Sequence, residues 1–189
     1  LYDMALDYSD KGKSDSDTVS NHLYAVGWNY EGDRDGDGKD DGSNALFQIS
    51  FYSNGSISLE KIADITGSDG EILTLGCTTE GQLYGISTAG KLYSLERDGV
   101  CTYIGTTDFV NYAGCNVIQS MGYDHNTDTM YWYAHSQTAA GNTYINVCMT
   151  YKVDLATGKC TEVGTYGPGG QTSLFVPTDK TSDLFTIGV

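Results

Sequence analysis

An all-β fold built from repeated four-stranded antiparallel units is predicted by three features of this sequence. The first is the stretch 81–107, GQLYGISTAGKLYSLERDGVCTYIGTT. Its short β-branched and aromatic runs are broken by Gly and Asp every eight to ten residues, the pattern of strands joined by tight turns. The second is recurrence: runs of the Leu-Tyr kind begin at Leu23, Leu83, Met130 and Leu184, at steps of 60, 47 and 54 residues. The third is composition, since 24 glycines and only 2 prolines in 189 residues suit many hairpins rather than a stiff linker.

The elements follow in order. The first unit opens with a strand over 4–7, passes the polar insertion 10–21, and resumes at 22–26. A second insertion over 28–44 precedes strands at 46–49 and 58–65. Asn54-Gly55 between them is a strong hairpin signal, and both residues tolerate the positive φ of a type I′ turn. The second unit has strands over 72–78, 83–87, 92–95 and 101–105, with turns at Thr88-Ala89-Gly90 and Arg97-Asp98-Gly99. In the third unit the strands are 120–124, 130–133, 147–154 and 160–164. A fourth unit begins at 173–176 and ends with 184–187, giving fourteen strands, three units and a half.

Spacing supports the alignment. From the first strand to the second the steps are Leu75 to Leu83, Met121 to Met130 and Leu174 to Leu184, that is 8, 9 and 10 residues. Unit periods of this size approach the roughly 40 to 50 residues of a propeller blade once insertions are allowed for. The frame is a small first strand ending in Asp, then xLYxI, then GxLYxID, then TGxxTxIGxT. It resembles the repeat of bacterial extracellular β-propellers of the YVTN and quinoprotein-like kind. That resemblance implies a β-propeller of about three and a half four-stranded blades, units near 1–66, 72–109, 118–167 and 171–189, in one domain or a fragment of one. It also implies an extracellular or cell-surface location. A β-sandwich is the alternative, less suited to a repeated four-strand unit.

Charge and cysteine content narrow the function. With 25 acidic and 10 basic residues, a formal charge of −15, the chain lacks the clustered Lys and Arg that a phosphate backbone requires, so nucleic acid is not expected as a partner. No apolar run approaches the roughly 20 residues of a membrane-spanning helix. The opening LYDMALDYSD has neither the basic nor the apolar part of a signal peptide, which fits a cytosolic protein or a mature or excised piece. Five cysteines, an odd number without a CxxC pair, indicate neither a zinc knuckle nor a complete disulfide framework. A half unit at the end of the chain leaves sheet edges to cover, so a fragment of a longer chain or a homodimer is expected.

One stretch carries specific chemistry: Asp33-Arg-Asp35-Gly-Asp37-Gly38-Lys39-Asp-Asp41-Gly-Ser-Asn44. Carboxylates at positions one, three and five with Gly at six match the calcium loop of EF-hand type, where hard oxygens converge and Gly permits the sharp turn. Lys39 would offer its backbone carbonyl and Asp41 stands at position nine. Asn44 occupies position twelve, where a bidentate Glu is usual, and Glu31 and Asp40 are substitutes for that last ligand. Calcium in such an insertion would order a long loop and serve structure.

Catalytic signals are sparse. His22, His125 and His135 show no paired-ligand spacing and read as turn or rim residues; no GxSxG elbow is present, and Gly167-Pro-Gly-Gly170 lacks the Lys-Ser/Thr of a phosphate cradle. Asp124-His125-Asn126 reads as an Asx-type turn. Fifteen tyrosines and two tryptophans offer faces for sugars or protein partners. Tyr84, Tyr93 and Tyr131 recur in the strand frame and are expected in the core, whereas Trp28, Tyr30 and Tyr112, in loops, are the binding candidates. The expected function is recognition, adhesion or scaffolding on a carbohydrate or protein at the cell surface. The alternative is part of a propeller enzyme, a glycan hydrolase or lyase or a quinoprotein-like catalyst, with active residues outside this chain.

Overall fold

The computed structural model describes residues 1–7, 9, 18–107, 119–140 and 143–166. Among them the chain forms twelve strands in three four-stranded antiparallel sheets, and no helix. Sheet I contains β1 (Asp3–Leu6), β2 (Thr18–Asn29), β3 (Ser43–Tyr52) and β4 (Ile57–Asp64). Sheet II contains β5 (Gly76–Cys77), β6 (Leu83–Ile86), β7 (Lys91–Leu95) and β8 (Cys101–Thr106). Sheet III contains β9 (Ser120–Asp124), β10 (Thr129–Ala140), β11 (Thr143–Val153) and β12 (Cys160–Tyr166). Strands pair in chain order within each sheet, so every connection inside a sheet is a hairpin. The fourth predicted unit, 171–189, lies outside the described residues, as do Tyr112, Cys115 and the 167–170 loop.

The three sheets share one register. Leu6 opposes Leu23, Cys77 opposes Leu83 and Tyr123 opposes Met130; one step along, Ala5, Gly76 and Gly122 oppose Tyr24, Tyr84 and Tyr131. The sequence frame is therefore a structural frame. Differences lie in length, with 72–78 reduced to the two residues of β5 plus a bridge from Ile72 to Ser87, and with β10 and β11 extended well beyond the short runs expected.

Alternation along sheet II separates two cores. Cys77, Leu83, Tyr93, Leu95 and Cys101 turn to one face and pack with Ala5, Tyr24, Val26 and Leu46 of sheet I. Ile86 and Leu92 turn to the other and pack with Met121, Met130, Trp132 and Val153 of sheet III. Sheet II is thus buried on both faces, each fully buried Leu or Ile contributing about 1.5–3 kcal/mol. Of the three recurring tyrosines Tyr93 is buried, while Tyr84 and Tyr131 are half-buried. A third cluster, Ala25, Ala45, Phe47 and Ile49, covers the opposite face of sheet I. The fourth strands turn large apolar side chains to solvent, Ile57 and Leu59 on β4, Tyr103 on β8 and Val163 on β12.

The hairpin turns repeat as closely as the strands. At 52–56, 78–82, 87–91 and 96–100 the fourth residue donates its N–H to the carbonyl of the first, at 2.9–3.0 Å, and the first donates to the fifth at 3.0 Å. The fourth residue is Gly55, Gly81, Gly90 or Gly99, with φ between +67° and +88°. These are three-residue loops, a type I turn closed by a left-handed glycine. The Asn54-Gly55 turn accordingly differs from the type I′ expectation. Asn54 does not take a positive φ, and its side-chain oxygen instead accepts the N–H of Ser56 at 2.8 Å. An Asx bond holds Asn54 right-handed and leaves the positive φ to glycine alone.

Cys77, Cys101 and Cys160 are free thiols. Burial pushes the first two up to about 12 and about 11, so they are neutral packing groups, not nucleophiles.

Candidate metal centre

The candidate centre is the connection from β2 to β3. Trp28 and Asn29 still pair with Asn44 and Ser43, so the insertion is shorter than the sequence indicates and Trp28 belongs to a strand, not a loop. Beyond them the backbone folds back on itself, with Asp41 donating its N–H to the carbonyl of Gly32 at 2.9 Å.

Asp40 closes the neck of this loop. Its Oδ2 accepts the indole N–H of Trp28 at 2.6 Å, and its Oδ1 accepts the N–H of Glu31 at 3.0 Å and of Gly32 at 2.5 Å. The indole bond, helped by those backbone donors, holds the Asp40 carboxyl below the usual carboxylate range. Gly42 seals the same neck, because a Cβ there would lie 2.1 Å from the carbonyl oxygen of Asn29. Glu31 is engaged as well, pairing with Arg34 at 2.9 Å and Lys61 at 3.5 Å and accepting from the Asn29 amide at 2.9 Å.

At the tip, carboxylate oxygens of Asp33, Asp35 and Asp37 lie within 4.8 Å of one another, all three side chains exposed. The backbone wraps around them. Asp33 accepts the N–H of Gly36 at 2.6 Å and of Gly38 at 2.8 Å, Asp35 accepts from Asp37 at 3.0 Å, and Asp37 accepts from Lys39 at 2.8 Å. Gly36 and Gly38 take φ of +83° and +84°, conformations that a side chain would strain. Asp41 stands beside the cluster as a brace, its Oδ2 accepting from Arg34 at 2.7 Å and Asp35 at 3.2 Å.

Asn44 is placed elsewhere. It is buried on β3, where its amide nitrogen donates to the carbonyls of Gly27 and Ile72, each at 3.2 Å, and its oxygen accepts the N–H of Ile72 at 2.8 Å. Position twelve thus joins sheets I and II instead of facing the carboxylates. The spacing could not reveal this, because the β2–β3 ladder takes up the last residues of the twelve. With Glu31, Asp40 and Asn44 committed, the three tip carboxylates form a shallow oxygen cluster open to solvent, suited to a hard cation that keeps several waters.

Of the aromatic candidates, Trp28 serves the neck, Tyr30 is 81% exposed just past β2, and Tyr112 is outside the described residues.

A second polar constellation lies between sheets I and II. A cleft of about 510 Å³ is lined by Asp7, Tyr24, Glu80, Gln82, Glu96 and Arg97 among others. Its Arg97 donates from Nη2 to Asp7 Oδ2 at 2.7 Å and to the Gly81 carbonyl at 2.6 Å, and its guanidinium lies 4.4 Å from the Tyr24 ring centre. Burial works to raise the Asp7 carboxyl, but hydrogen bonds from Ser9 and Arg97 outweigh it and hold that carboxyl below its ordinary range. The arrangement locks two sheets together. Sequence reasoning missed it, since Arg97 and Asp7 are 90 residues apart with no motif to connect them.

His125 lies in the turn between β9 and β10, as expected, but is buried there, its Nδ1 2.9 Å from the Thr79 hydroxyl and its ring edge-on to Tyr123. The neighbouring Asp124 makes the expected Asx turn, accepting the N–H of Asn126 at 2.9 Å and the Thr127 hydroxyl at 2.6 Å. Neither a protein-family model nor a curated protein matches this sequence. No helix among the described residues is long and apolar enough to cross a membrane.

Proposed function

We propose that the chain is a β-propeller segment of a secreted or surface-attached protein. It serves recognition of a carbohydrate or protein at the cell surface, with a calcium ion bound by the 33–41 loop. The single observation behind the metal is the convergence of the Asp33, Asp35 and Asp37 oxygens within 4.8 Å at an exposed hairpin end. Three carboxylates so close repel one another, and a hard divalent cation is the partner that removes the repulsion. The Lys39 carbonyl is the backbone ligand of this reading, and waters take the place of Asn44.

Three features support the propeller. The sheets are equivalent in register, consecutive sheets stack face to face, and the first strands β1, β5 and β9 contact one another pairwise while the fourth strands lie outermost. A rim loop fixed by a metal then holds the Tyr30 ring in solvent, a flat amphipathic surface of the kind sugars and proteins dock on. The test is retention of the chain on a glycan array and on intact bacterial cells in millimolar calcium. Binding that is lost with chelator and weakened at least fivefold by Tyr30→Ser supports the reading; binding indifferent to both removes the recognition role from this loop.

A further inference from the structure

Asp3 plays no part in the function proposed above, yet it is the buried carboxylate on which all three sheets converge. Its Oδ2 accepts the N–H of Leu75 and of Met121, both at 2.8 Å, and its Oδ1 accepts the Ser120 hydroxyl at 2.9 Å. Leu75 leads into β5 and the other two residues belong to β9, so one side chain on β1 bonds both other sheets. In the shared register Asp3, Thr74 and Ser120 are equivalent, each standing two residues before the one that opposes Tyr24, Tyr84 or Tyr131. All three are buried. Two of these positions carry a hydroxyl, and only Asp3 can change its charge.

We propose that Asp3 is a proton-operated clamp: with a proton bound it holds the three first strands together, and on ionisation it loosens their junction. Both protonation states fit the same partners. In the neutral acid one oxygen accepts the two N–H groups and the O–H of the other donates to Ser120; in the carboxylate the Ser120 hydroxyl donates instead. No partner is lost in either state, so the balance lies between the donors, which favour the charge, and burial, which opposes it; a buried charge is far costlier than a buried neutral acid, and burial is the larger effect here. Burial pushes the Asp3 carboxyl up to about 7, against the opposing pull of hydrogen bonds from Leu75, Met121, Ser120 and Met4.

The ionisable groups on the surrounding elements have other partners. Next to Asp3 in the chain, Tyr2 donates to Glu71 at 3.0 Å, and past the far end of β1 Asp7 pairs with Arg97. On β2 the residue opposite Asp3 is Val26. On β5 the Cys77 thiol stays neutral; on β9 Tyr123 is raised to about 12 by burial, and Asp124 is bound to its own turn. Asp3 can therefore gain or lose its proton without a neighbouring charge following it.

The sign follows from the folded value lying above the ordinary 3.8. The folded chain holds this proton more tightly than the unfolded chain does, so the stabilisation is complete below pH 3.8 and is lost as pH rises to about 7. Carbon-13 NMR of the aspartate-labelled 189-residue chain tests it, with the Asp3 carboxyl assigned through its own Cβ so that no variant is needed. A transition within one unit of pH 7 is expected, and a midpoint below 5 overturns the clamp. Asp3→Asn, whose amide reproduces the neutral acid, gives the second measure. Its urea midpoint relative to the parent should rise from pH 5 to pH 8, and an identical pH slope in the two proteins also overturns it.

Discussion

Two sets of aspartates in this protein accept backbone N–H groups at nearly the same distances and differ in everything else. Asp3 takes Leu75 and Met121 at 2.8 Å in the interior, whereas Asp33 takes Gly36 at 2.6 Å and Gly38 at 2.8 Å at the tip of an exposed loop. Asp3 reaches across more than 70 residues of chain to join three sheets; Asp33 reaches no more than 5 and shapes its own loop. Burial and sequence separation, not the hydrogen bond itself, decide whether an aspartate side chain holds a fold together or only bends a turn.

The largest effect tests that contrast. Asp3→Ala leaves two buried N–H groups without an acceptor and the Ser120 hydroxyl without its partner, at about 1–3 kcal/mol each when not rescued, so at least about 3 kcal/mol of stability should go. Asp33→Ala, measured in chelator, should stay within about 0.5 kcal/mol because water replaces the lost bonds. Equal losses in urea unfolding would erase the distinction.

Arg97→Met is next. It keeps an apolar stem over Tyr24 but strands the buried Asp7 carboxylate, and since Arg97 is about a third exposed the loss should be roughly 2 kcal/mol, below that of a fully buried pair. The pH behaviour sharpens it. Asp7 has its folded carboxyl below the ordinary 3.8, so its contribution is present above that value and lost as pH falls further, opposite in sign to Asp3. The variant should lose that acid-side slope in pH-dependent unfolding.

Gly42→Ala places a methyl against the Asn29 carbonyl and should cost about 1–2 kcal/mol while weakening any cation bound at the tip, seen by parallel melting with and without calcium. Smallest is Trp28→Phe, which removes one half-exposed hydrogen bond to Asp40. The loss should be smaller than that of Gly42→Ala, with the loop retained in the NMR spectrum.

How much of this was legible depended on sequence distance. The strand frame was readable because alternation and Gly-Asp punctuation are local, and three units repeated them from Leu23, Leu83 and Met130. The tip carboxylates were readable for the same reason, being two residues apart. Asn44 was not, because its partners, Gly27 and Ile72, come from another strand and another sheet. Nothing in the sequence marks Asp3, which adjoins the strand expected over 4–7. Its burial depends on β9, more than 110 residues later, which no local pattern encodes.

Calorimetric titration of calcium into the 189-residue chain tests the proposed centre most directly. One site per chain with a dissociation constant of about 10⁻⁴–10⁻³ M is expected, weak because no carboxylate fills the twelfth position, and it should vanish in the combined Asp33→Asn, Asp35→Asn, Asp37→Asn variant. Heats no greater than dilution at about 10 mM calcium, ten times the weakest constant expected, or an unchanged isotherm from that variant, would contradict the assignment.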